Sequence, residues 1–91
     1  MQLQRGRGGM ATTTLDQLRK RYTRNHIELQ EFRADYMPHI NNEEHLLRIL
    51  RAHPQQLSVS KLHASQRAPY IIYLYDLANW LDAQEAAARA A

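Results

Sequence analysis

The chain has 91 residues, a formal net charge of +3, 44 % hydrophobic residues and no cysteine. This length indicates one domain, and the lack of cysteine excludes disulfides and thiolate zinc sites. No apolar run approaches the roughly 18 residues of a membrane helix, and residues 1–10 lack the apolar centre of a signal peptide. The composition therefore predicts a small domain that stays in the cytoplasm.

Residues 1–13 are predicted to form a disordered tail, because Arg5-Gly6-Arg7-Gly8-Gly9 combines flexible glycine with solvated arginine. Met10 is a second candidate for the natural start of the chain, which would make residues 1–9 an upstream extension. The alternative is that the arginine-glycine sequence is a short tail that contacts nucleic acid.

The first helix is predicted from about Leu15 to Tyr22, with Thr14 as its N-terminal cap. Leu15, Leu18 and Tyr22 recur at helical spacing and form one apolar stripe. Four basic residues lie mostly off this stripe, and they form either a solvated face or a face that contacts phosphate. They are Arg19, Lys20, Arg21 and Arg24.

Two further helices are predicted around a tight, proline-containing corner. After a turn and an extended piece at residues 25–29, the second helix covers Gln30–Tyr36. The third helix starts at Asn41, with Glu44 three residues on as in a capping box, and Pro54 closes it. Its apolar side consists of Leu46, Leu47, Ile49 and Leu50, and its basic face consists of His45, Arg48 and Arg51.

The last third of the chain is predicted to form a hairpin and then a fourth helix. Leu57 and Val59 alternate with serines as in a half-buried strand, and Tyr70–Tyr75 is rich in β-branched and aromatic residues. The turn between these strands, His63–Pro69, carries positive charge and no acid. Asp76 is predicted to cap the fourth helix.

Two helices around a corner, followed by a basic hairpin, are typical of a winged helix-turn-helix domain. The sequence therefore predicts an α+β fold, mostly α, in which a two-stranded hairpin wing is followed by a C-terminal helix. The domain is placed at residues 14–85, and residues 86–91 are predicted to be a fraying Ala-rich tail. For the two helices alone, the alternative is a helical hairpin with a solvated basic face.

No acidic residue occurs from His45 through Tyr75, and the acids lie in two flanking groups. Such a segment produces a local positive field that attracts a polyanion. Arginines on the third helix can donate to guanine and phosphates in the major groove, and a thin hairpin fits the minor groove or the backbone. The predicted DNA-binding residues are His45, Arg48, Arg51, Lys61, His63, Ser65, Gln66 and Arg67.

Catalytic and metal sites are not predicted. His39, His45 and His53 lack the i, i+4 spacing of paired metal ligands on a helix, and no local carboxylate completes a ligand set. Ser65 and His63 could form a nucleophile–base pair, but no glycine-rich oxyanion loop or orienting acid lies nearby. The sequence therefore predicts a protein that is not an enzyme and that holds no cofactor or metal.

Several short motifs carry a family resemblance. They are Asp35-Tyr36-Met37-Pro38-His39, Leu46–Ile49, Ser65-Gln66-Arg67-Ala68, Leu74-Tyr75-Asp76-Leu77-Ala78 and Trp80-Leu81-Asp82. With these motifs, residues 28–82 resemble the pyocin activator PrtN family of phage and phage-tail regulators. The order of elements is more loosely similar to that of phage excisionases. The chain differs from the PrtN family at Arg19-Lys20-Arg21, because that family has a more apolar start.

The resemblance implies a winged helix-turn-helix protein that activates transcription by binding promoter DNA. The predicted function is a sequence-specific DNA-binding regulator that activates prophage or pyocin-like genes, with double-stranded DNA as its partner. One alternative is an excisionase-like architectural DNA-binding protein. Another is a protein-interaction module whose hairpin docks a partner such as RNA polymerase or a phage repressor. A homodimer is compatible with a small winged domain, although no heptad or apolar patch requires one.

Overall fold

The computed structural model describes residues 12–53, 55–64 and 67–90, and these ranges contain four helices and three strands. The predicted α+β, mostly helical class is confirmed. In chain order the elements are α1 (Thr14–Tyr22), β1 (His26–Glu28), α2 (Leu29–Tyr36), α3 (Glu43–Ala52), β2 (Ser60–Lys61), β3 (Tyr70–Tyr73) and α4 (Leu74–Ala90).

The three strands form one antiparallel sheet in the order β1-β3-β2. β2 and β3 pair as the predicted hairpin, with Lys61 opposite Tyr70. β1 pairs with the other edge of β3, with Ile27 opposite Ile72. The predicted hairpin is therefore present, but the prediction missed β1 as the third strand of its sheet. A strand of three residues is too short to show the period of two by which strands are recognised, and the partner of β1 lies far along the chain.

α1 and α3 begin directly after residues whose side chains cap them. Thr13 Oγ1 accepts from the Asp16 N–H at 3.1 Å, and the Asp16 carboxylate accepts from the Thr13 N–H at 3.3 Å. The cap of α1 is therefore Thr13 and not the predicted Thr14. The Asn42 side chain accepts from the N–H three residues later at 2.9 Å, so α3 is capped one residue after the predicted Asn41.

The late strands are shorter than predicted. Leu57 and Val59 precede β2, and β3 changes into α4 at Leu74, two residues before the predicted cap Asp76. The Leu74 N–H donates to the Asn25 carbonyl oxygen at 2.8 Å, beside the start of β1. An unbroken apolar run does not mark the position of such a change, because it shows neither the period of a strand nor that of a helix.

One hydrophobic core joins the helices to the sheet. α1 buries Leu18 and Tyr22, which lie on its predicted apolar stripe, and the Trp80 ring of α4 lies 5.5 Å from the Phe32 ring of α2. The three buried leucines of α3 point into this core, so the opposite face of α3 is turned to solvent. The fully buried members are Ile27, Leu29, Phe32, Leu46, Leu50, Ile72, Leu74 and Leu77.

Candidate nucleic-acid interface

The exposed face of α3 carries one acid and two arginines in a single stripe. Glu44, Arg48 and Arg51 are exposed, and at about 100° per residue they lie within about 60° of one another around the helix axis. His45 is exposed beside this stripe, and its Nδ1 lies 3.4 Å from Arg48 Nη2. Because the leucines of α3 are buried, this face is held toward solvent.

Tyr70 connects α3 to the hairpin. Its ring borders an open groove of ≈ 500 Å³ that Glu44, Arg48 and Arg51 also line. The Lys61 Nζ lies 5.3 Å from the centre of the same ring, within the range of about 6 Å at which an ammonium is attracted to an aromatic face. These five residues therefore form one continuous surface, which we call the α3–hairpin surface.

Arg67 does not line this groove, although Tyr70 does. It lines a second groove of ≈ 300 Å³ together with Glu28 of β1 and Glu43 of α3. The segment from His45 through Tyr75 contains no acidic residue, but in the folded protein it therefore has acidic neighbours. A phosphate that binds Arg67 would meet these two carboxylates as neighbours, which weakens the local positive field.

The predicted site residues thus separate into groups. Arg48, Arg51 and Lys61 lie on the α3–hairpin surface, His45 lies beside it, and Arg67 borders the second groove. Lys61 and His63 are exposed on the hairpin, and the predicted Ser65 and Gln66 lie outside the described residues.

Sequence reasoning missed two members of the α3–hairpin surface. Tyr70 was assigned only to a strand, and Glu44 was assigned to a capping box and to a flanking group of acids. The spacing of Glu44 to Arg48 and Arg51, at i+4 and i+7, was an available signal, because such residues share one helix face. No comparable signal marked Tyr70, since its position depends on the pairing of β2 with β3.

The basic cluster of α1 is divided by ion pairs to α2. Arg21 Nη2 lies 3.2 Å from Asp35 Oδ2, and Arg24 Nη1 lies 2.9 Å from Glu31 Oε1. The hydrogen bond from Arg24 lowers the pKa of Glu31 below its usual value. Two of the four basic residues therefore join α1 and the turn after it to α2. All four are exposed.

Two other features do not occur in the same ranges. Among residues 12–53, 55–64 and 67–90, no three His, Cys, Asp or Glu side chains come together in a way that could hold a metal ion. Within that part of the chain, no helix combines the length and the apolar character needed to cross a membrane.

Residues 14–88 match the family model described as pyocin activator protein PrtN. The match includes α1 with its Arg19-Lys20-Arg21 segment, and it extends beyond both ends of the motifs that carry the resemblance. The comparison with curated proteins gives no match, and the comparison with solved structures gives none. Because the family model covers most of the chain, the resemblance is confirmed, and the chain belongs to the pyocin activator protein PrtN family.

Proposed function

We propose that this protein is a sequence-specific DNA-binding regulator that activates transcription of pyocin-like or prophage genes. The family description supports the role of activator. The observation that carries DNA binding is the α3–hairpin surface, in which two arginines of a helix and a lysine of a hairpin flank one tyrosine ring. Such a surface presents positive charge from two elements to one polyanion.

The fold is proposed to act as a winged helix-turn-helix. The order of elements supports this, because a helix pair is followed by an antiparallel hairpin whose strand β3 also pairs with β1. The corner between α2 and α3 is braced by Arg33, whose Nη1 donates to the Ile40 carbonyl oxygen at 3.0 Å. A fixed corner keeps α3 at a constant angle to the rest of the domain, which a helix that enters the major groove requires.

Each predicted residue has a proposed role. Arg48 and Arg51 enter the major groove, where each donates to a guanine or to phosphate. His45 lies beside them on α3. Lys61, His63, Gln66 and Arg67 hold the hairpin to the DNA backbone or minor groove, and Ser65 adds a phosphate hydrogen bond or shapes the turn.

The test is a titration of labelled duplex DNA with wild-type protein, Arg48→Ala and Arg51→Ala at low and moderate salt. Arg48→Ala is expected to lose about 1–3 kcal/mol of binding free energy on the specific sequence if Arg48 reads a base. Equal losses on specific and random DNA would make Arg48 a phosphate contact instead. Arg89→Ala is the matched control, because Arg89 is exposed near the end of α4 and pairs with Glu85 at 2.9 Å.

One alternative function is favoured by a specific observation. Tyr73 and Tyr75 are 40 % and 65 % exposed, and with Leu15 and Arg19 they line a groove of ≈ 340 Å³. Exposed aromatic residues beside an arginine are frequent in protein–protein interfaces. A protein-interaction module would use this face, and the absence of any duplex binding at low salt would favour it over the DNA-binding proposal.

A further inference from the structure

Glu44 occupies a central position on the α3–hairpin surface. Around the helix axis it lies between Arg51 and Arg48, at about 20° from the first and about 40° from the second, and it precedes Arg48 by about 6 Å along the axis. It also lines the same groove as both arginines and Tyr70. A duplex that contacts the two arginines of α3 therefore also meets the Glu44 carboxylate.

A carboxylate at this position opposes binding to the DNA backbone. Glu44 is exposed, and among the described residues its carboxylate forms no ion pair with Arg48 or Arg51. Facing phosphate, it would meet a like charge and would weaken the attraction of the two arginines beside it. Facing base edges, the carboxylate would meet hydrogen-bond donors as well as acceptors. It can therefore accept a hydrogen bond from a base that presents a donor at this position.

We propose that Glu44 is a specificity-determining residue that accepts a hydrogen bond from the exocyclic amine of a cytosine in the major groove. This inference rests on the proposed DNA binding by α3. In the major groove a cytosine presents an N4 donor, and an adenine presents an N6 donor beside the N7 acceptor. A guanine presents two acceptors, and a thymine presents an acceptor and a methyl group. A carboxylate, which only accepts, is therefore matched to cytosine and repelled by guanine and thymine.

The position along α3 agrees with this role. In helix-turn-helix proteins the N-terminal residues of the recognition helix contact base edges. Glu44 is the second residue of α3, directly after Glu43. The favourable interaction of an acid with the helix N-terminus explains why an acid is tolerated there, but it applies to both glutamates. Only Glu44 shares the stripe of the arginines.

The experiment is a selection of duplexes from a randomised library by the full 91-residue chain, followed by sequencing of the bound fraction. Wild-type protein is expected to enrich a cytosine at one position of each bound site. Glu44→Gln should shift this position toward adenine, because an amide can donate to adenine N7 and accept from N6. The change in the ratio of cytosine to adenine should be on the order of tenfold.

Two variants accompany Glu44→Gln. Glu43→Gln removes the same charge one residue away and off the stripe, so it should raise affinity for random duplexes without changing the preferred base. Glu44→Ala should lose the cytosine preference without gaining adenine, which keeps the test informative if the amide variant folds poorly. Circular dichroism of each variant verifies the fold.

The outcomes separate this inference from the proposed function. If wild-type protein enriches a sequence and Glu44→Gln enriches the same one, Glu44 does not read a base and the inference is wrong, while DNA binding by α3 stands. If wild-type protein enriches no sequence from the library, sequence-specific DNA binding itself fails. A switch from cytosine to adenine that Glu43→Gln does not produce supports both.

Discussion

Tyr70 lines two grooves that differ in charge. It lines one groove with the stripe of α3, close to Lys61, and it lines the groove that Arg67 shares with two glutamates. Its ring is the aromatic face that Lys61 contacts beside α3. A flexible aliphatic residue at this position would remove that contact.

Tyr70 and Lys61 are expected to act as a pair in DNA binding. Tyr70→Leu and Lys61→Ala should each weaken binding to duplex DNA, and the double variant should lose less than the sum of the two. The coupling should be about 0.5–1 kcal/mol, as for an exposed cation–π contact. Fluorescence anisotropy at constant salt measures the four dissociation constants. Tyr70→Phe keeps the ring and is the matched control. Strictly additive losses would show that Tyr70 and Lys61 contribute to binding independently.

Some features of the candidate site could be predicted from the sequence, and others could not. The exposed basic face of α3 could be predicted, because helical periodicity alone decides which side of a helix is buried. The place of Arg67 beside Glu28 and Glu43 could not, because β1 and α3 reach that groove only through the packing of α2 and the sheet. A count of charges along the chain therefore overstated the positive field at Arg67.

At the scale of elements, α1 and α2 are joined by polar contacts as well as by the core. The hydroxyl group of Tyr22 donates to Asp35 Oδ2 at 2.6 Å, and Arg21 approaches the same carboxylate. Burial of the ring and then this hydrogen bond raise the pKa of Tyr22 above its usual value. The neutral phenol is thus the form that the folded protein prefers.

Tyr22→Phe is expected to lower the free energy of unfolding by about 1–2 kcal/mol at neutral pH, because a hydrogen bond to a charged group is lost. In the wild-type protein the stabilisation by Tyr22 is complete below a pH of about 10, and it is lost as the pH rises above the pKa of the unfolded tyrosine. Urea unfolding between pH 7 and 11 should therefore show a steeper alkaline loss for wild-type protein than for Tyr22→Phe.

The control for this experiment is Tyr75→Phe, since Tyr75 is 65 % exposed. It should follow the wild-type pH dependence closely. An alkaline loss that is the same in Tyr22→Phe and in wild-type protein would show that the phenol of Tyr22 does not contribute to it. The comparison isolates one hydroxyl group, because both substitutions remove only an oxygen atom.

The elements differ in how well the sequence predicted them. The first three helices were placed to within one or two residues, because apolar spacing and capping side chains are local signals. α4 begins at Leu74, two residues before the predicted cap Asp76, and continues to Ala90. β1 was read only as an extended piece, because its identity as a strand depends on pairing with β3 more than forty residues later. The end of β3 depends equally on a distant contact, the hydrogen bond between Leu74 and Asn25.

On the scale of the whole molecule, a modest net charge of +3 is distributed unevenly. α1 packs along α4, and part of its basic cluster is neutralised by acids of α2. The α3–hairpin surface keeps three cations with one acid among them. The location of the charge on the surface, more than its total, therefore decides where a polyanion binds.

The salt dependence of DNA binding is expected to report this distribution. If Arg48, Arg51, Lys61 and Arg67 all contact phosphate, the logarithm of the association constant should fall with the logarithm of salt concentration with a slope of about −3.6. Arg67→Ala should weaken binding to all sequences and reduce this slope by about 0.9, the value for one phosphate. Titrations of a single duplex at four or more salt concentrations provide both slopes.

The slopes of the variants show which cations contact phosphate. An unchanged slope in Arg67→Ala would remove Arg67 from the phosphate contacts, and its two neighbouring glutamates would be the physical reason. Arg89→Ala removes the same charge at a distant, exposed position, so its slope should equal that of the wild-type protein. A wild-type slope of about −1 or weaker would limit the contacts to one phosphate. It would therefore contradict the proposal that α3 and the hairpin both contact the DNA backbone.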